Sequence, residues 1–70
     1  MILTIRQARE QAGLTLDEVA IRLRTAHRLK LDPASLSRIE RGFRLIGGND
    51  ARLIRRVIRE LAAERRAVAK

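Results

Sequence analysis

Asp32-Pro33-Ala34-Ser35-Leu36-Ser37-Arg38-Ile39-Glu40-Arg41-Gly42 reads as a short helix with a signal at each end. Asp32 can accept hydrogen bonds from the first free amides as N-cap, and Pro33 at the first helical position forfeits no hydrogen bond. Gly42 can take the left-handed conformation that closes the other end. Leu31 before the cap and Leu36 beyond it make a hydrophobic staple, which fixes how the chain enters the helix. Leu36 and Ile39 share a face, and that face is expected to be buried. The opposite face carries Ala34, Ser37, Arg38 and Arg41, small or cationic groups that leave the backbone approachable and offer donors.

Working outward, the same punctuation recurs. Thr4 and Gln7 have the spacing of a capping box, with Leu3 and Ala8 as its staple, so a first helix begins there and stops at Gly13. Ile5, Ala8, Arg9 and Ala12 fall on one face by their spacing, which leaves Arg9 at the edge of an apolar stripe and in need of a partner. Thr15 and Glu18 repeat the box, with Leu14 and Val19 as staple, and a second helix starts at about Leu16. Its inner face is Val19, Ala20 and Leu23. No Gly or Pro marks its end, which is placed near Ala26 or His27, with Arg28 to Leu31 as the connection and His27 on the surface.

After Gly42, the stretch Phe43-Arg44-Leu45-Ile46-Gly47-Gly48-Asn49 reads as a loop, with its apolar residues tucked beneath it. A last helix from Asn49 or Asp50 puts Leu53, Ile54, Val57, Ile58 and Leu61 on one stripe and Arg52, Arg55, Arg56 and Arg59 on the other side. These arginines read as a solvated face more readily than as ligands. Beyond Leu61, residues 62–70 keep helical propensity without large apolar side chains, so they either extend the helix, against a second subunit, or fray.

Composition limits what such a chain can do. Seventy residues suffice for a single domain, 1–70, which buries about 60% of its unfolded surface at this length. Sixteen Lys and Arg against eight Asp and Glu give a formal charge of +8, an attraction for polyanions. The absence of cysteine removes disulfides and thiolate-held zinc, and the single His27 makes neither a metal site nor a triad. No catalytic residues, metal or cofactor are therefore expected. No run approaches the ~18 apolar residues that span a bilayer, and Met1-Ile2-Leu3 leads directly into polar residues, so neither a membrane anchor nor a signal peptide is read. The expectation is a soluble, cytoplasmic protein that is not an enzyme. Three separately capped helices do not make a membrane-lying peptide, and the lack of Trp and Tyr argues against stacking on single-stranded bases.

The residues Gly13-Leu14-Thr15, then Val19-Ala20, then Leu36-Ser37-Arg38-Ile39-Glu40-Arg41-Gly42 resemble the lambda-repressor/Cro-like helix-turn-helix domain, also called the XRE type. The likeness covers roughly Ile5 to Leu61. It implies an all-α fold of four helices, five at most, with a long C-terminal helix. It departs from the family's tight turn, because eight residues from Arg24 to Leu31 separate Leu23 from Asp32, an extended connection between helices two and three.

The resemblance further implies a transcriptional regulator, a repressor by type, that binds double-stranded DNA sequence-specifically as a homodimer. The helix 33–41 would enter the major groove. Ala34, Ser35, Ser37 and Arg38 would face bases, with Arg38 suited to a bidentate contact with guanine. Thr15 and Leu16 at the start of helix two would meet phosphate, the latter by its amide, as would Arg28, Lys30, Arg41 and Arg44. Arg9 and Glu40 would form a structural ion pair. From Arg22 to Arg44, seven basic residues face two acidic ones, which concentrates charge on this region. The competing expectation keeps the same fold but has it act mainly through a protein partner gripped by the C-terminal helix, as an antitoxin or phage adaptor does.

Overall fold

A computed structural model describes residues 3–68. Met1, Ile2, Ala69 and Lys70 lie outside the described residues, and with them the ends of the N-terminal leader reading and of the 62–70 extension. The described residues form four helices and no strands: α1 (Ile5–Gln11), α2 (Leu16–His27), α3 (Pro33–Glu40) and α4 (Gly48–Val68).

The starts of the first three helices follow the local chemistry. At Thr4 the hydroxyl accepts from the Gln7 amide at 3.1 Å while the Gln7 side chain accepts from the Thr4 amide at 2.9 Å. Thr15 and Glu18 form the same reciprocal box. The Asp32 carboxylate accepts from the Ser35 amide at 2.7 Å, with Pro33 in the first turn. Each satisfies amides that the first helical turn would otherwise leave without partners.

The ends are equally specific. Gly13 at φ +69° and Gly42 at φ +80° are left-handed. After α1 the Leu14 amide donates to the Arg9 carbonyl and the Gly13 amide to that of Glu10; after α3 the Phe43 and Gly42 amides donate to Arg38 and Ile39. Both sets are Schellman closures. At the end of α2, Arg28 itself takes the left-handed conformation, φ 55°, and the Leu23 carbonyl accepts from the amides of Arg28 and Leu29. The helix thus absorbs Arg24 to His27, and the connection to α3 shortens to Arg28–Asp32. The extra residues counted from Arg24 lengthen a helix more than they lengthen a loop.

One core joins the elements: Leu14, Val19, Ala20, Leu23, Leu31, Leu36, Ile54, Val57 and Ile58, all buried. Leu23, Ile54 and Val57 have no exposed surface. Ala20 is small where α2 and α3 meet, which allows the close approach that brings Leu36 into the same core. α2 packs against both α3 and α4, and α4 also packs on α1.

Of the two alternatives for the chain beyond Leu61, the described residues take the helical one: α4 continues to Val68 and docks on its own chain, because Glu64 accepts two hydrogen bonds from Arg22 at 2.6 and 2.7 Å and Arg65 binds Glu18 and the Gly13 carbonyl. One expectation is corrected. The loop residues Phe43 and Leu45 do not tuck under; they are 79% and 94% exposed, and only Ile46 packs against the core. No described helix is long and apolar enough to cross a membrane.

Candidate nucleic-acid interface

The Arg9–Glu40 pair fixes α3 against α1. Arg9 Nε and one terminal nitrogen donate to the two Glu40 carboxylate oxygens at 2.7 and 3.1 Å, and its other terminal nitrogen donates to the Leu14 carbonyl at 2.8 Å. The side chains are only 15% and 6% exposed. Hydrogen bonding to Glu40 holds the guanidinium pKa above its ordinary value, against the opposing effect of burial. One salt bridge thereby anchors the last turn of α3 to the first helix and removes Glu40 from the exposed surface.

With that end held, Ala34, Arg38 and Arg41 are exposed, while Ser35 and Ser37 are half-buried. Arg44 follows on the exposed loop. Asp32 lies close to this group: the Ser35 amide and hydroxyl hold its carboxyl below the usual carboxylate range, and the guanidiniums of Arg38 and Arg44 add to the effect. Asp32 is therefore an N-cap that also tempers the charge beside Arg38, a consequence its capping role alone does not reveal.

Between α2 and the start of α3 lies an open groove of about 600 Å³ whose lining includes Asp17, Ile21, Arg24, Lys30, Asp32 and Ser35. It joins Lys30 and Ser35, both expected at the interface, to the first turn of α2. Arg24 shares this groove and was not among the expected site residues. Its place in the basic run from Arg22 to Arg44 is the signal that could have marked it.

Other expected contacts stand differently. The Thr15 hydroxyl is engaged by Glu18, accepting from its amide at 3.2 Å and donating to its carboxylate at 3.2 Å, and the Thr15 amide donates to the same carboxylate at 3.1 Å, so both donors of Thr15 are committed to the helix cap. Leu16 is half-buried against the core, with its amide at the first turn. Arg28 is exposed, and its backbone has the separate task of ending α2. His27 is not a plain surface residue: its Nε2 lies 3.3 Å from a Glu60 carboxylate oxygen, with 20% of the side chain exposed, where α2 meets α4.

From α1 to the loop after α3, with Arg65 of α4 beside them, the cations differ in whether they hold a carboxylate. Arg6, Arg9, Arg22 and Arg65 each hold a carboxylate. Arg24, Arg28, Lys30, Arg38, Arg41 and Arg44 hold none among the described residues. The acids of that stretch, Asp32 and Glu40, are engaged with a helix cap and with Arg9. Among the described residues no group of acidic or histidine side chains could hold a metal ion. No protein-family model, curated protein or solved structure matches this chain.

Proposed function

We propose that the chain is a lambda-repressor/Cro-like helix-turn-helix protein that binds double-stranded DNA in a sequence-dependent manner and regulates transcription. The observation that carries this reading is the row of six cations from Arg24 to Arg44 without carboxylate partners, beside a reading helix whose acidic residue is turned inward. A surface of unneutralised arginines around a short helix suits phosphates on the flanks and base edges in the middle.

In this reading α3 enters the major groove, with Ala34, Ser35, Ser37 and Arg38 towards bases. Arg28, Lys30, Arg41 and Arg44 meet phosphates, as does the amide of Leu16, and Arg24 joins them, while Thr15 shapes the start of α2 through its cap. Neutralising about five phosphates gives a slope of log K against log salt of roughly −4 to −5. A homodimer on two half-sites about one helical turn apart is the proposed bound form, and the exposed Phe43 and Leu45 beside α3 are apolar surface that a neighbouring protomer can cover. The alternative, a protein partner gripped by the C-terminal helix, has less support, because the end of α4 is engaged with α2 of its own chain.

The test is a titration of isotope-labelled protein with mixed-sequence duplex, followed by amide chemical shifts. The reading expects the largest changes at residues 34–44 and at the first turn of α2. Changes confined to other regions, or none at physiological salt, defeat it.

A further inference from the structure

A second row of free cations runs along the outside of α4. Ile54, Val57 and Ile58 face the core. On the opposite side, Arg52, Arg56, Arg59 and Arg66, with Ala63 between the last two, are all exposed, and among the described residues none holds a carboxylate. The spacings of four, three and seven residues keep them on one face over about 21 Å of helix. The acids of this part of the helix, Glu60 and Glu64, are turned to His27 and Arg22 of α2. Arg52 and Arg56 stand at i, i+4, a like-charge spacing that weakens a helix. This arrangement opposes the stability of α4 and leaves its outer surface uniformly cationic.

We infer that this face binds the phosphate backbone of a second DNA duplex, separate from the one read by α3. Its chemistry favours a polyanion over an apolar partner. A protein interface needs a buried apolar anchor and a membrane-lying helix needs an apolar face, whereas this stripe holds only arginine and alanine. Guanidiniums suit phosphate because their planar fork makes paired hydrogen bonds with two oxygens. The two surfaces belong to different helices, and each lies on the side of its helix away from the shared core, in which Leu36 of α3 and Ile54, Val57 and Ile58 of α4 are buried. One molecule can then join two segments of duplex. The inference rests on the proposed reading for the first duplex only.

The experiment tethers a mixed-sequence duplex to a surface, loads the full chain, and measures capture of a second, fluorescent duplex at rising salt. Wild-type protein is expected to capture it, with a salt slope near −3.5 for about four phosphates. Replacing the four arginines by glutamine (R52Q, R56Q, R59Q, R66Q) is expected to leave binding to the tethered duplex intact and cut capture at least tenfold, while replacement by lysine retains it. The glutamine variant should melt no lower than wild type, since it removes like-charge repulsion and no internal contact. Capture unchanged in the glutamine variant, no capture by wild-type protein already bound to the tethered duplex, or an equal loss of affinity for the tethered duplex each overturns the inference. Failure of the α3 reading is distinct: R38A then leaves site preference on the tethered duplex unchanged.

Discussion

The end of α3 and the start of α3 use arginine in opposite ways. At the end, Arg9 reaches across from α1 and gives its guanidinium to Glu40 and the Leu14 carbonyl, in a site that is nearly closed to water. Around the start and the exposed face, Arg24, Lys30 and Arg38 stand without carboxylate partners; Asp17 and Asp32 line the same groove, and Asp32 is already bound to the Ser35 amide. A charge that is buried must be matched, because leaving it unpaired costs several kcal/mol; a charge held in water needs no match and stays available to a ligand. The same residue type is a structural strut in one place and an open donor in the other, and the difference lies in burial.

The largest expected effect breaks the buried side of this contrast. Arg9→Ala leaves Glu40 unpaired in a mostly closed site and should lower stability by about 3–5 kcal/mol, enough to unfold much of a domain of this size. Chemical denaturation measures it. Arg9→Met combined with Glu40→Leu should recover most of the loss, since both charges then leave together. A small loss on Arg9→Ala alone shows that the pair is not the strut described.

On the open side, Arg38→Ala should leave the melting temperature within a degree or two and remove about 1–3 kcal/mol of discrimination between preferred and random duplex. Competition binding reads it. Uniform weakening on every sequence makes Arg38 a phosphate contact and moves it out of the base-reading group.

Arg28 belongs to both sides, ending α2 through its backbone while its side chain is exposed. Arg28→Gly should therefore raise stability by up to about 1 kcal/mol, by relieving a left-handed non-glycine residue, and reduce the salt slope of DNA binding by about 0.9. Gly42→Ala, at φ +80° with open space around its Cα, should cost a similar amount through backbone strain alone. Thermal melts of the two variants shifting in the same direction contradict this account of the helix ends.

The smallest effect concerns acid. The carboxyls of Glu18, Asp32 and Glu64 sit below their ordinary range, Glu18 chiefly through the Thr15 amide, Asp32 through Ser35 and Glu64 through Arg22. The unfolded chain binds protons at these groups more readily than the folded one, so their contribution is complete above about pH 5 and fades as pH falls through roughly 4 and below. Melts between pH 7 and pH 3 should show the loss at the acid end only.

Much of this molecule was legible because its signals are local. Thr4 with Gln7, Thr15 with Glu18, and Asp32 with Pro33 are read within one turn of chain, and each became a helix start. Arg9 was legible for a different reason: an arginine on an apolar stripe must find an acid, and Glu40 supplied it. The end of α2 carried no such mark, because a left-handed arginine looks like any other arginine in sequence. The docking of α4 was hidden as well, since Arg22 meets Glu64 and Arg65 meets Glu18 across 42 and 47 residues with no periodic pattern to announce them. Phe43 and Leu45 misled because hydrophobicity predicts burial only where an element exists to cover the side chain, and this loop has none above it. Within the candidate site, residue type and position along α3 foretold the exposure of Ala34, Arg38 and Arg41, but the half-burial of Ser35 and Ser37, the commitment of Thr15 to Glu18 and the closeness of Asp32 to Arg38 depend on three-dimensional placement.

The most direct measurement is selection of binding sites by purified protein from a random duplex library at physiological salt, run in parallel for wild type and Arg38→Ala. The account predicts an enriched motif for wild type, arranged as two mirrored half-sites, and a motif degraded at one or two positions in the variant. Binding at low salt without any enriched motif contradicts it, because only the electrostatic attraction of the open cations then remains.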